Sequence, residues 1–152
     1  MKKLLILVVL AAAGYLYFGY RTPTAPAAAP AATPAAETRK ASADAVFADA
    51  YANRRNNLPV SGEGTVVRLL SDDNTGNRHQ RFIVKLASGQ TLLIAHNIDI
   101  APRVAALNIG DRIAFSGEYA WNEKGGVVHW THRTTSGSHP AGSITHNGQT
   151  YQ

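Results

Sequence analysis

The chain reads as a small, mainly β protein built on a five-stranded OB-like barrel, with three strands, a short helix, two more strands and a C-terminal hairpin. Three observations predict it. From Ser61 onward apolar residues recur at every second position, turn signals rich in Gly, Asn and Asp separate the alternating runs, and a short helical stretch opened by Pro102 follows the third run. Glycines inside the runs, Gly64 and Gly117, suit the sharp bends of a small barrel. An open sheet with one helix is the rival arrangement.

The front of the chain is of another kind. Lys2 and Lys3 precede seventeen residues without a charge, 4–20, and Arg21 follows. A positive flank before an apolar run is the pattern of an export signal or a membrane anchor. Small residues Ala11, Ala12 and Ala13 would suit cleavage, but Tyr15, Leu16, Tyr17, Phe18 and Tyr20 extend the run to the ~17 residues a span needs. Residues 1–21 are therefore expected to form a single-pass anchor in the inner membrane, with the rest of the chain in the periplasm. Cleavage would release the chain into the periplasm instead. Residues 22–41, dominated by Ala, Pro and Thr up to Ala36, read as a semi-rigid polyproline II spacer. Residues 42–57 read as an amphipathic helix. Ser42 caps it, Asp44 suits the positive end of its dipole, and Val46, Phe47, Ala50 and Tyr51 form one narrow apolar face that should pack against the domain or a partner.

The β domain occupies residues 58–152. Its first strand is expected at 64–70, before the polar loop Ser71-Asp72-Asp73-Asn74. The second, 79–86, places Phe82, Val84 and Leu86 on one face and Arg81, Ile83 and Lys85 on the other. Ala87-Ser88-Gly89-Gln90 turns the chain into a third strand at 91–96. A short helix from Pro102, with Val104 and Leu107 apolar, ends before Gly110. Ile113, Phe115, Gly117 and Tyr119 alternate on the fourth strand, and the Gly125-Gly126 turn leads into a fifth at 127–133. Asn147-Gly148 suits a type I′ turn in a closing hairpin over 144–151.

Charge narrows the function. The formal net charge is +5, yet from Val60 onward eight Lys/Arg meet seven acids. The excess basicity belongs to the anchor and linker, so phosphate-backbone binding loses its main support and nucleic acid is not the expected partner. With no cysteine, disulfides and thiolate metal sites are excluded. No Ser-His-Asp motif, Walker loop or dinucleotide fingerprint is present.

Residues 62–151 resemble an uncharacterised family of exported bacterial proteins, catalogued as domain of unknown function 3465. The resemblance rests on Gly62-Glu63-Gly64-Thr65-Val66, Arg78-His79-Gln80-Arg81-Phe82, Leu93-Ile94-Ala95-His96-Asn97-Ile98, Gly117-Glu118-Tyr119 and Gly125-Gly126-Val127-Val128-His129-Trp130-Thr131-His132, with His139, Gly142, His146, Gly148 and Tyr151 beyond them. In the family an Asp-Pro follows the His-Trp-Thr-His run. Here Thr134-Thr135 stands there, so any role for that aspartate is lost. The resemblance implies the same fold and export; it supplies no activity and leaves function open.

All six histidines, His79, His96, His129, His132, His139 and His146, lie in the second half of the chain. Imidazoles bind metals and move protons near neutral pH. His129 and His132 sit three apart, so on a regular strand they face opposite ways, and joint ligation needs a bulge or a strand end there. A convergence of His129, His132, His139 and His146 would suit zinc or copper. His79 and His96, on neighbouring strands, are expected to form a cross-strand polar pair. Asp72 and Asp73 read as a solvated turn. Tyr119, Trp121 and Trp130 cluster near the last barrel hairpin as a possible stacking surface. The leading expectation is a non-enzymatic binding module whose edge at Tyr119, Trp121, Trp130 and His132 engages an envelope protein, a glycan or a small molecule. The alternative is a metal-dependent hydrolase, of phosphodiesterase or nuclease type, using the four histidines. A purely structural role, with the helix as contact, is a third reading.

Overall fold

The computed structural model describes residues 34–134, 137 and 139–152. The expected anchor, most of the spacer and Thr135 lie outside the described residues. Among those described, no helix is long and apolar enough to cross a membrane. Among the described residues one helix, α1 (Pro34–Ala52), precedes seven strands: β1 (Leu58–Leu69), β2 (His79–Lys85), β3 (Thr91–Asn97), β4 (Arg112–Ala120), β5 (Val127–His129), β6 (Ser143–His146) and β7 (Gln149–Tyr151).

The barrel is the expected one. Strands run in the order β1-β2-β3-β5-β4, and a further β1–β4 pairing closes the ring. All contacts are antiparallel except β3–β5, where Leu93 and Ile94 pair in parallel with Val127 and Val128. β1 serves two neighbours: residues 58–65 pair with β4, and from Thr65 onward it pairs with β2. The handover falls at Thr65, beside Gly64, where a Cβ would lie 3.0 Å from the Lys85 carbonyl oxygen and 3.2 Å from the Val84 side chain. Only a residue without a side chain lets the strand bend that closely over β2. The alternation expected for β2 and β4 is kept, with Phe82, Val84, Ile113, Phe115 and Tyr119 inside the barrel beside Leu92, Ile94 and Val128.

Helix α1 plugs one end of the barrel. It begins at Pro34 rather than Ser42, so the last part of the expected spacer is helical. Proline is tolerated in a first turn, and the Ala-rich run after it favours helix. The buried face is Asp44, Phe47 and Ala50, whereas Val46 stands exposed. Phe47 enters the barrel against Phe115 and Tyr119, at ring separations of 5.9 and 6.2 Å. It sits over Gly62, where a Cβ would come within 2.8 Å of the ring. The Asp44 carboxylate accepts the Ser88 N–H at 2.6 Å, and the Tyr51 hydroxyl donates to the Glu123 carbonyl. The helix ends in a Schellman motif: Arg54 takes a φ of 49°, its N–H bonds Tyr51, and the Arg55 N–H bonds Ala50.

The opposite end is closed differently from expectation. Residues 98–110 form turns, not the short helix expected from Pro102. The backbone groups a helix would use internally are engaged by side chains from the strands. Gln80 accepts from the Val104 N–H at 2.9 Å and donates to its carbonyl at 3.2 Å, and the His96 ring bonds the Pro102 carbonyl. Ala106 takes a φ of 50°, outside helical space. Val104 and Leu107 still point into the core, held by this coil.

β5 is also shorter than expected. It stops at His129, because Trp130 adopts a φ of 53°. The edge of β4 left uncovered is taken by β6, through Ile113↔His146 to Ser116↔Ser143. β7 returns through Asn147 and Gly148, both at positive φ (49° and 78°), as the type I′ expectation required.

Candidate functional site

The end of β5 and the excursion after it gather the unusual chemistry of the molecule. Trp130 is the pivot. A bulky residue at positive φ is a genuine backbone outlier and persists only where its surroundings impose it. Two restraints do so here. Thr131 is fully buried and its hydroxyl meets Nδ1 of His96 at 2.8 Å. The Gly142 N–H then donates to the His132 carbonyl at 2.9 Å, which folds the excursion back onto the barrel.

The indole that results is 37% exposed, the most exposed aromatic of the barrel core region bar Tyr51 on α1 at 38%. It stacks on His139 with ring centres 4.2 Å apart and planes 20° from parallel. His129 lies 5.5 Å away on the strand side, and His132 meets it edge-on at 5.6 Å. His132 and His139 are themselves 5.0 Å apart and nearly perpendicular, at 83°. His132 is buried, and its Nδ1 donates to the Arg133 carbonyl at 2.7 Å. His139 is held likewise, Nδ1 donating to the Pro140 carbonyl at 2.8 Å. Each bond fixes the tautomer, leaving the lone pair of the neutral ring on Nε2.

The remaining histidines are elsewhere. His146 is buried against Asp111, Nε2 to Oδ2 at 2.9 Å, at the far end of β4 from the Glu118–His129 pair. The expected fourfold convergence therefore does not form: His129, His132 and His139 surround Trp130, and His146 does not join them. No group of three or more His, Cys, Asp or Glu suited to a metal ion occurs among the described residues. His79 and His96 do not pair either. In register His79 faces Asn97 and Gln80 faces His96, which puts the two histidines on opposite faces of the sheet.

The aromatic edge expected at Tyr119, Trp121, Trp130 and His132 divides. Tyr119 is fully buried, its hydroxyl donating to the Gly125 carbonyl at 3.2 Å, so it is core. Trp121 belongs to the α1 end, stacked with Tyr51 at 6.4 Å and covered by the Arg54 guanidinium at 5.0 Å. Trp130 and His132 remain together at the other end of β5. Thr131 and Gly142 are the supporting residues that side-chain chemistry alone did not single out, although both fall within the family-like run.

Electrostatics sharpen the picture. Burial pushes the His96 imidazole below the ordinary histidine range and favours its neutral form; since the Pro102 carbonyl can only accept, Nε2 carries the proton in that form and Nδ1 accepts from the Thr131 hydroxyl. Burial also lowers His129. Glu118, 3.6 Å away, opposes this, and the like charges of His139 and His79 add to it. Below about pH 6.5 the unfolded chain binds protons that folded His96 refuses, so stability rises with pH up to that value and falls on acidification beneath it. Asp111, held low chiefly by the Asn108 N–H, adds a further loss at lower pH, where its carboxylate protonates. Urea unfolding at pH 7.5 and pH 5.0 is expected to show lower stability at the acid value. A His96→Gln variant should show a shallower difference, and equal differences would mean that His96 does not carry the pH dependence.

Asp72 and Asp73 lie on the loop between β1 and β2, where Asp73 forms an antiparallel bridge with His79 rather than the solvated turn expected. Asp72 pairs with Arg103, Asp73 with Arg81 at 3.7 Å, and the Thr75 N–H holds the Asp73 carboxyl below its usual range. A cleft of about 310 Å³ lies beside them, walled by Leu69, Val104 and Leu107 with Arg81 and Arg103 at its rim. Both guanidinium groups are already neutralised by the two aspartates.

A family model described as protein of unknown function (DUF3465) matches residues 31–152, and so takes in α1 as well as the barrel. Comparison with curated proteins finds no match.

Proposed function

The chain belongs to the DUF3465 family, and we propose that it is a non-enzymatic binding module, held at the outer face of the cytoplasmic membrane, whose ligand surface is the Trp130 face. The observation that carries this reading is Trp130 itself: a large aromatic kept in an unfavourable backbone conformation while more than a third of it faces solvent. Strain of this kind concentrates at functional sites. An exposed indole framed by imidazoles offers a flat, amphipathic surface for a sugar ring, a peptide or a planar small molecule. Both barrel ends are plugged, by α1 and by residues 98–110, which favours an outer surface over the barrel interior. The near-neutral charge of the domain argues against nucleic acid.

Lys2 and Lys3 before the uncharged run 4–20 support the membrane anchor and the periplasmic side for the domain. The partner in this setting is an envelope protein, a glycan or a small ligand. Titration of the chain with muropeptides, short glycans and envelope-derived peptides, followed by tryptophan emission, tests the site. The chain has two tryptophans, so Trp121→Phe should keep the response to a binding compound while Trp130→Phe loses it and weakens affinity by about tenfold or more, the scale of an aromatic anchor. A response that survives in Trp130→Phe and vanishes in Trp121→Phe would move the site to the α1 end.

A further inference from the structure

The paired imidazoles beside Trp130 carry more than an aromatic surface. The Nε2 atoms of His96 and His146 are engaged, by the Pro102 carbonyl and the Asp111 carboxylate. His132 and His139 are held from the other side of the ring, each Nδ1–H donating to a main-chain carbonyl. That is the support metal-bound histidines use, since it fixes the tautomer, aims the ring and raises the basicity of Nε2. Two imidazoles bound through Nε2 to one ion at about 2.0–2.1 Å place their ring centres roughly 4.5 Å apart in cis tetragonal positions and roughly 5 Å apart in tetrahedral ones. The observed separation is 5.0 Å, with the planes nearly perpendicular. We propose that His132 and His139 form a two-imidazole site for a late first-row transition metal, copper(II) above zinc(II), with Trp130 stacked beside it.

Imidazole suits both ions, and the Irving–Williams order ranks copper(II) higher at any such nitrogen site. No third His, Cys, Asp or Glu completes a set with them among the described residues. The remaining positions on the ion are thereby left to water or to a donor from a bound partner. The site thus deepens the Trp130-face reading and rests on it, giving the surface a coordinating centre as well as a stacking one. His129, paired with Glu118, borders the indole without belonging to the ligand pair.

The test uses the full purified chain, titrated with glycine-buffered copper(II) and, separately, zinc(II), with stoichiometry from elemental mass spectrometry. One equivalent of copper(II) should bind more tightly than zinc(II), quench Trp130 emission, and give an electron paramagnetic resonance signal split by imidazole nitrogen. His139→Gln, at a partly exposed position, should weaken copper(II) binding by about tenfold or more, comparable to losing a supporting or direct contact at a metal. Trp130→Phe should keep the copper and lose most of the quenching, while His79→Gln should change neither. The proposal is overturned if no copper binds, or if His139→Gln binds it as tightly as the parent chain. Because His132 is buried, His139→Gln rather than a His132 variant decides the outcome, with circular dichroism confirming the fold. Absence of copper alongside a Trp130-dependent response to a glycan or peptide would reject the metal and leave the binding face standing.

Discussion

Replacing Phe47 by alanine lowers the unfolding free energy by about 3–5 kcal/mol, the range for truncating a buried phenylalanine. The side chain is fully buried and bridges the helix to β1 and β4, lying over Gly62 and against Phe115 and Tyr119. Its removal leaves a void in the mouth of the barrel that the backbone of two paired strands cannot close. Val46, one residue away and 45% exposed, provides the control; Val46→Ala should cost no more than about 0.5 kcal/mol. Urea unfolding of both variants checks the difference. Equal costs would mean that α1 is an appendage and not the plug of the barrel.

Gly142→Ala is the second large effect, and it acts on the site. A Cβ there would lie 2.6 Å from the Ser116 carbonyl oxygen and 2.9 Å from the Thr131 Cα, with the Trp130 carbonyl oxygen closer still. These are main-chain atoms, fixed by the pairing of β4 with β6 and by the turn at Trp130, so no side chain can swing away. Overpacking of this kind costs about 1–3 kcal/mol. The relief available is to lift the excursion, which breaks the Gly142–His132 bond and with it the restraint on Trp130. The variant should therefore show both lower stability and a shifted Trp130 emission maximum. Ala141→Ser, at the exposed neighbour, should show neither. Unchanged Trp130 emission in Gly142→Ala would show that another contact holds the indole.

Much of the barrel was legible because its strands are half-buried and alternate strictly. Phe82 and Val84, then Ile113 and Phe115, announce an inner face, and Asn147-Gly148 announces its turn. The same alternation already placed Tyr119 inside, and reading it as a surface residue overrode that signal. What local pattern could not convey is backbone capture by distant side chains. The helix expected at Pro102 fails because Gln80, from strand β2, engages both backbone polar groups of Val104. β5 ends early because Thr131 is held by His96, 35 residues before it. Trp121 and Trp130 seemed to share an edge because they flank one hairpin, yet a three-residue strand separates the α1 end from the imidazole end. The histidine crowding was visible in the sequence; its division into His96 and His146, each engaged by a separate partner, His79 opposite Asn97, and the three around Trp130 required the fold.

On this reading, the Trp130 surface is occupied in the protein's native setting. Hydroxyl-radical footprinting tests it without knowledge of the ligand. Radicals are generated outside spheroplasts that carry the full chain, and oxidation of Trp130 and Trp121 is compared with that of the purified protein. The domain is expected to be oxidised without lysis, with Trp130 protected relative to the purified chain and Trp121 unchanged. Oxidation only after lysis would place the domain on the cytoplasmic side, and equal oxidation of Trp130 in both settings would contradict a ligand-bearing Trp130 face.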